Sequence, residues 1–370
     1  MQPLNPRDYQ RYARHIVLPE VGVTGQERLR ASRVLVVGAG GLGSPVLLYL
    51  VAAGVGTIGV VDADVVDVSN LQRQIIHTTA TIGVAKVVSA AQQMHALDPA
   101  CTVVTHAMRV TAANALELVR QYDIVIDATD SFATRYVLND ACVIAQKPLV
   151  YGAIFRFEGQ ASLFAPHLGG PCYRCLFPDP PPPELAPNCA EAGVFGVLPG
   201  VVGAVQATEA IKYILGIGTT LQGWLWLYDA LTMQVDRWQV ARNPQCARCG
   251  DTPTLQGMID MDAVCAMPAH SEKSVHEVAA WLQSATPPLL VDVREEHEYA
   301  LSHLPGAQRI GVNAIGTLTA TERPVVVYCR SGMRSGRACG VLRTHGIEAW
   351  SMTGGLLAWQ QHIDAEMPVA

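Results

Sequence analysis

Twenty-eight consecutive residues, Val34 to Val61, carry no charge, and this run limits the fold more than any other stretch of the 370-residue chain. A bilayer span needs about 20 apolar residues, so length alone allows one. Seven glycines and a proline interrupt the run, however, and divide it into VLVVGAGG, LGSPVLLYLVAAG and VGTIGVVD. A short apolar strand, a helix and a second apolar strand in that order read as a parallel βαβ unit buried on both faces of its sheet, not as a membrane span. CTVVTH and YDIVIDATD alternate with helical stretches around Lys86–His95 and Ala113–Arg120, which extends the pattern to a Rossmann-like, doubly wound α/β sheet. Residues 1–30 predict a charged helical arm before it.

Half of the residues are hydrophobic and 16% are charged, which supplies a core and excludes wholesale disorder. A net charge of −6 offers no basic field to a nucleic-acid backbone. PDPPPP, within Cys172–Pro187, predicts a mobile surface loop. Gly193–Thr208 reads as a buried turn and helix. Periodicity lapses around Cys249–Ser271 and resumes with PPLLVDVREEHEY and RPVVVYCRSGMRS. The expected organisation is a first domain over 1–255, a linker over 256–271 and a C-terminal α/β module over 272–370.

The first strand runs into Gly38-Ala-Gly40-Gly41-Leu-Gly43, a G-x-G-x-x-G in strand-to-helix context. Its glycines admit a tight turn and close approach of backbone N–H groups to phosphate. Asp62, ending the second strand, is placed to take ribose hydroxyls. Alone, this motif suits a nicotinamide or flavin dinucleotide equally well. The next segment, DADVVDVSNLQRQ, adds Asp64, Asn70, Gln72, Arg73 and Gln74; Lys86 follows on a helix and Asp130 closes IVIDATDS. Cations and carboxylates gathered on a phosphate-binding turn suit a polyphosphate with Mg²⁺ better than hydride transfer.

Cysteine usage separates three further expectations. The ten thiols sit in a chain whose start, MQPLNPRDYQRYARHIV, is polar and charged, which predicts a reducing, cytoplasmic setting. Cys172-Tyr-Arg-Cys175 and Cys246-Ala-Arg-Cys249 are two C-x-x-C knuckles, enough for a closed, structural Zn²⁺ site. Cys329 opens Cys329-Arg-Ser-Gly-Met-Arg334 between a strand and a helix, where backbone N–H groups and the charges of Arg330 and Arg334 are expected to stabilise a thiolate or a persulfide. Cys101, Cys142, Cys265 and Cys339 have no identifiable partner and read as packing.

GAGGLGS, VDADVVDVSNLQRQ, IDATDS and the RYARHI of Arg11–Ile16, in that company, resemble the MoeB/ThiF family, bacterial relatives of ubiquitin-activating enzymes, over about residues 5–250. The resemblance implies adenylation by ATP of the C-terminal Gly-Gly carboxylate of a ubiquitin-like sulfur carrier protein. It assigns ATP contacts to Gly41, Asp62, Ser69, Asn70, Leu71, Gln72, Arg73, Lys86, Asp130 and Ser131. Asp130 would help to hold Mg²⁺, and Arg14 would reach into the partner's site of a homodimer. Such a reaction needs no general base, since the attacking carboxylate is already ionised. Cys189 matches a cysteine that some members use to form a thioester or acyl disulfide with the carrier and that others do without; a spare thiol remains the alternative.

VDVREEHEY, HLPGA and GGLLAW, together with the Cys329 loop, resemble a single-domain rhodanese over about residues 272–365. Cys329 would carry the persulfide, drawn from a cysteine desulfurase or thiosulfate, and Asp292 and its acidic neighbours would be structural. Together the halves imply an adenylyltransferase and sulfurtransferase that converts the carrier carboxylate to a thiocarboxylate. Molybdopterin synthesis is the favoured pathway; thiamine or cysteine synthesis and tRNA thiolation stay open. The rival readings are a zinc-containing NAD-dependent oxidoreductase with a fused rhodanese and a non-catalytic carrier-binding scaffold.

Overall fold

The charged arm is helical, as expected: α1 (Pro6–Arg11), α2 (Ala13–Ile16) and α3 (Gly22–Ala31) precede the first strand. Asn5 caps α1 by accepting the Asp8 N–H, and Pro6 occupies the first turn, where its missing donor is not needed. The computed structural model describes residues 3–181, 193–261, 271–319, 321 and 323–369. Cys189, Cys265 and residues 182–187 of the proline-rich segment lie outside them.

The uncharged run folds as β1 (Arg33–Val37), α4 (Gly43–Ala53) and β2 (Thr57–Val61). No helix among the described residues is long and apolar enough to cross a membrane. There follow α5 (Lys86–Leu97), β3 (Thr102–His106), α6 (Ala115–Arg120), β4 (Ile124–Asp127), α7 (Phe132–Ala145), β5 (Leu149–Phe155), β6 (Glu158–Phe164), α8 (Tyr173–Leu176), α9 (Leu198–Leu215), β7 (Trp224–Asp229) and β8 (Gln234–Gln239). Strand order is β3-β2-β1-β4-β5-β6-β7-β8. Strands β1 to β5 pair in parallel and β5 to β8 pair antiparallel, so the sheet is mixed; β5–β6 and β7–β8 are hairpins, and the connection from β6 to β7 carries α8 and α9.

Alternation along β1 builds two cores. Val34 and Val36 face one side with Leu47, Leu50 and Val51 of α4, and Leu35 and Val37 face the other with Leu118 and Val119 of α6 and Tyr136 of α7. Burying each such side chain contributes about 1.5–3 kcal/mol, which explains why a run without a single charge is tolerated here. Because β1 pairs with β2 on one side and β4 on the other, the chain leaves it in opposite directions and opens a crevice at the carboxyl ends of these strands. β4 stops at Asp127, so Asp130 lies in the loop beyond the strand rather than closing it.

The chain divides into two compact units. The second contains β9 (Ser271–Lys273), α10 (Val275–Leu282), β10 (Leu289–Asp292), α11 (Glu296–Leu301), β11 (Gln308–Arg309), β12 (Val325–Tyr328), α12 (Met333–Thr344), β13 (Ala349–Met352) and α13 (Gly355–His362). Its five strands are parallel in the order β11-β10-β12-β13-β9, with apolar side chains buried on both faces. Residues 256–261 belong to the first unit: Met261 is buried in its core, and Met258 and Ile259 pack on it.

Candidate functional site

The glycine turn owes its shape to two close approaches. Gly38 has φ +102, and a Cβ there would stand 2.5 Å from the Ala128 carbonyl oxygen; a Cβ on Gly43 would stand 1.9 Å from the Gly38 oxygen. Only glycine lets β1 turn this sharply into α4. The turn forms one wall of a 270 Å³ cavity at the switch point of the sheet. Gly41, Asp62, Asp64, Arg73, Lys86, Asp130 and Ser131, all singled out from the sequence, line it.

Asp62 accepts the Ala39 N–H at Oδ2 and the Asp64 N–H at Oδ1, both at 2.9 Å, so its carboxylate is fixed against the glycine turn and keeps lone pairs for a ligand hydroxyl. Lys86, buried at the start of α5, places Nζ 2.9 Å from Asp64 Oδ2. Arg73 is held by donation from Nη1 to the Ser69 carbonyl at 3.0 Å. Ser69 and Asn70 do not line the cavity. They form a capped turn with Asp67, whose Oδ1 accepts the N–H and hydroxyl of Ser69 and whose own N–H donates to Asn70 Oδ1. Leu71 and Gln72 continue that turn, also outside the cavity, and its product is the placement of Arg73. Arg14 is exposed on α2, away from the cavity, with no side-chain ion pair or hydrogen bond among the described residues.

Several residues that the motifs did not single out complete the site. Arg135, one helical turn beyond the Ser131 cap of α7, lines the cavity, donates to the Thr129 carbonyl at 2.9 Å and packs against the rings of Phe132 and Tyr151. Its Nε lies 3.9 Å from Asp127, a carboxyl that complete burial pushes up and that Arg135 and Thr129 pull back only in part. The spacing DSFATR was the available signal. His77 sits beneath the glycine turn, Nε2 2.8 Å from the Ala39 carbonyl and Nδ1 2.8 Å from the Ser89 hydroxyl. The Ala39 carbonyl can only accept, so Nε2 donates to it, and burial lowers the ring's pKa.

The two knuckles meet, although 70 residues separate them in the sequence. Sulfur to sulfur, Cys172 is 3.7 Å from Cys246 and 4.0 Å from Cys175, and Cys175 is 3.4 Å from Cys249. A tetrahedron of thiolates on Zn²⁺, with Zn–S of about 2.3 Å, has edges of about 3.8 Å. The cluster therefore fits zinc, and four protein ligands leave no position for a substrate.

In the second unit, Cys329 follows β12 and is buried. The Gly332 N–H donates to Sγ at 3.2 Å, the Ser335 hydroxyl lies at 3.7 Å, and α12 begins at Met333. One backbone donor, one hydroxyl and a helix N-terminus thus face the sulfur, fewer backbone donors than the loop's sequence predicts. The expectation for Arg334 needs correction. Its two terminal nitrogens bind Glu298 bidentately at 2.6 and 2.7 Å, so its charge is largely spent on a carboxylate, and Arg330 is left as the half-buried cation of the loop. Asp292 forms a fully buried pair with Arg294, a structural role as expected. Among the spare thiols, Cys101, Cys142 and Cys339 are buried, and burial raises Cys101 and Cys339 to about 12, which leaves them inert.

A Rossmann-like crevice lined by clustered cations, a four-cysteine cluster and a cysteine-loop module define the class, an adenylating enzyme joined to a rhodanese-type sulfurtransferase module. Residues 12–248 match the ThiF family and residues 274–362 the rhodanese-like domain. The chain belongs to the ThiF family, carries a C-terminal rhodanese-like domain, and is an adenylyltransferase and sulfurtransferase. It is 44% identical to the probable adenylyltransferase/sulfurtransferase MoeZ of Mycobacterium tuberculosis, covering 98% of this chain and 96% of that one. It is 55% identical to a sulfur carrier protein adenylyltransferase of Thermus thermophilus, over 70% of this chain and 96% of that one. Among solved structures, E. coli MccB with ATP superposes with a TM-score of 0.58 at 22% identity, over 66% of this chain and 75% of that one, a likeness of fold.

Proposed function

We propose that the first unit uses ATP and Mg²⁺ to adenylate the C-terminal carboxylate of a ubiquitin-like sulfur carrier protein ending in Gly-Gly, and that Cys329 then supplies the sulfur. The carrying observation is the cavity in which the glycine turn, Asp62, Arg73, Lys86 and Asp130 converge. A carboxylate attacking the α-phosphorus of ATP meets repulsion from an anionic nucleotide. Arg73, Lys86 and Arg135 screen it, backbone N–H groups of the turn orient the phosphates, and pyrophosphate leaves in line with the attack. Asp130, exposed at the cavity edge, would hold Mg²⁺, which supplies further charge neutralisation. Arg73, Lys86 and Asp130 have no task in hydride transfer, which disfavours the NAD-dependent oxidoreductase. A non-catalytic scaffold would not need them.

The terminal sulfur of a Cys329 persulfide, drawn from a cysteine desulfurase or thiosulfate, attacks the acyl carbon and AMP departs with its bonding pair. The resulting acyl disulfide is opened by a thiolate attacking the Cys329 sulfur. Cys189 is the candidate within this chain, and the Cys189–Cys329 disulfide so formed needs a cellular dithiol to reset it. The carrier leaves as a thiocarboxylate. The relatives' names support the carrier class and not one pathway, with molybdopterin synthesis favoured. Arg14 completes the site of the partner subunit in a homodimer.

The test is carrier-dependent exchange of pyrophosphate into ATP. Asp130→Ala and Arg73→Ala are each expected to abolish it, while Cys329→Ser leaves exchange intact and blocks the conversion of carrier carboxylate to thiocarboxylate seen by mass spectrometry. Exchange retained in both adenylation variants would overturn the assignment.

A further inference from the structure

Each cysteine knuckle carries an arginine at its third position, Arg174 in one and Arg248 in the other. Neither is needed to bind a metal. Both are buried, 5% and 3% exposed, and both reach the same carboxylate. Arg174 donates from Nε to Asp140 Oδ1 and from Nη2 to Asp140 Oδ2, each at 2.9 Å, and Arg248 Nη2 donates to Oδ2 at 2.9 Å. Arg248 also donates to the carbonyls of Leu255 and Gly257, and the neighbouring Asn139 accepts the Tyr173 N–H. Asp140 is fully buried on α7. The first turn of that helix is a wall of the nucleotide cavity, where Ser131 caps and Thr134 and Arg135 face the space.

Charge gives this arrangement a direction. Two guanidinium groups and one carboxylate leave a single buried positive charge. Four thiolates around a divalent zinc carry a net charge of −2, opposite in sign to that surplus and large enough to offset it, whereas four neutral thiols leave it uncompensated. The arginines therefore favour the loaded centre. If the knuckles separate, one arginine at least must leave Asp140 and its charge loses that partner, so the carboxylate resists separation.

We propose that Asp140 is a positioning residue that joins the two knuckles into one metal centre and ties that centre to the helix walling the nucleotide cavity. Metal occupancy supports nucleotide affinity through α7, and bound nucleotide supports metal retention, because coupling between two sites is reciprocal. The nucleotide half rests on the reading of the cavity as an ATP site; the metal half does not.

The experiment uses the full, zinc-loaded chain in reducing buffer. Asp140→Asn keeps the side-chain shape and removes the charge. Zinc transfer to a chromogenic chelator and ATP binding by equilibrium dialysis are measured, with thiosulfate-to-cyanide sulfur transfer by Cys329 as a check on the rest of the chain. Loss of an outer-shell partner typically costs about 10–100-fold in metal affinity, so zinc loss is expected to rise by that order and ATP affinity to fall several-fold, with sulfur transfer unchanged. Zinc retained as in the wild type would overturn the clamp, and zinc lost with unchanged ATP affinity would overturn the tie to the cavity. Should Asp140→Asn fail to fold, Arg248→Gln, which leaves Arg174 on Asp140, is judged by the same two readouts. Stripping and reloading wild-type protein gives a second measure of the tie: unchanged ATP affinity without zinc would refute it. If loaded wild type binds no ATP, the ATP reading fails and the clamp is judged on zinc release alone.

Discussion

His77 is a single buried ring that supports the proposed nucleotide site without entering it. It holds the Ala39 carbonyl of the glycine turn from the segment that carries Arg73, so His77→Ala leaves a buried acceptor unpaired at a cost of about 1–3 kcal/mol. The expected result is a raised KM for ATP with a smaller change in kcat, partly restored in His77→Gln. The pH dependence has a definite sign. Burial holds the folded-state pKa below the ordinary 6.5, so the unfolded chain binds the extra proton first and stability falls as pH drops through that value, levelling above it. Denaturant titrations should show a shallower fall in His77→Gln; an unchanged slope would contradict the neutral buried ring. At the sulfur site, Arg330 and Arg334 look alike in sequence and are expected to behave differently. Arg334→Ala strands Glu298, which burial pushes up but Arg334 and the Glu295 N–H hold below its ordinary range, and the second unit should lose about 3 kcal/mol. Arg330→Ala should leave stability unchanged and slow sulfur transfer. Equal stability losses would refute the distinction.

Elements explain which parts of the site the sequence made legible. The glycine turn, the knuckles and the Cys329 loop are each compact in sequence, so their residue types and spacing state their geometry. Arg73, Lys86 and Asp130 were readable for a related reason: each sits at the end or start of an element converging on the carboxyl edge of β1, β2 or β4. His77 with Ala39, Arg334 with Glu298 and Asp140 with Arg248 were not readable, because 38, 36 and 108 residues separate the partners and only packing decides who meets whom. The antiparallel half of the sheet was missed because its strands carry no distinctive spacing; β8, QVDRWQ, is exposed along its length. Gly43 and Gly41 test the element directly. Gly43→Ala puts a methyl group 1.9 Å from the Gly38 oxygen and should prevent stable folding of the first unit, whereas Gly41→Ala meets Pro199 at 3.1 Å and should fold while raising the KM for ATP. Thermal melts with and without ATP separate the two outcomes.

At the scale of the whole molecule the unresolved element is Arg14. Within one chain it is a solvent-exposed cation on a four-residue helix, outside the cavity lined by Gly41, Asp62, Arg73, Lys86, Asp130 and Ser131. An arginine that assists a phosphoryl-transfer centre must reach the developing charge, so an Arg14 that takes part does so from another copy of the chain. Mixing two inactive proteins decides this. In a mixed pair of Arg14→Ala and Asp130→Ala chains, the site built on the intact Asp130 receives the intact Arg14 of its neighbour, while the other site carries both lesions. Carrier-dependent pyrophosphate exchange should therefore reappear on mixing, even though each variant alone is inactive. If Arg14 instead served its own chain, no combination would restore a complete site and the mixture would stay silent. Full exchange in the Arg14→Ala protein alone would remove the residue from the mechanism, and the cations already lining the cavity, Arg73, Lys86 and Arg135, would have to carry the charge of the reaction between them.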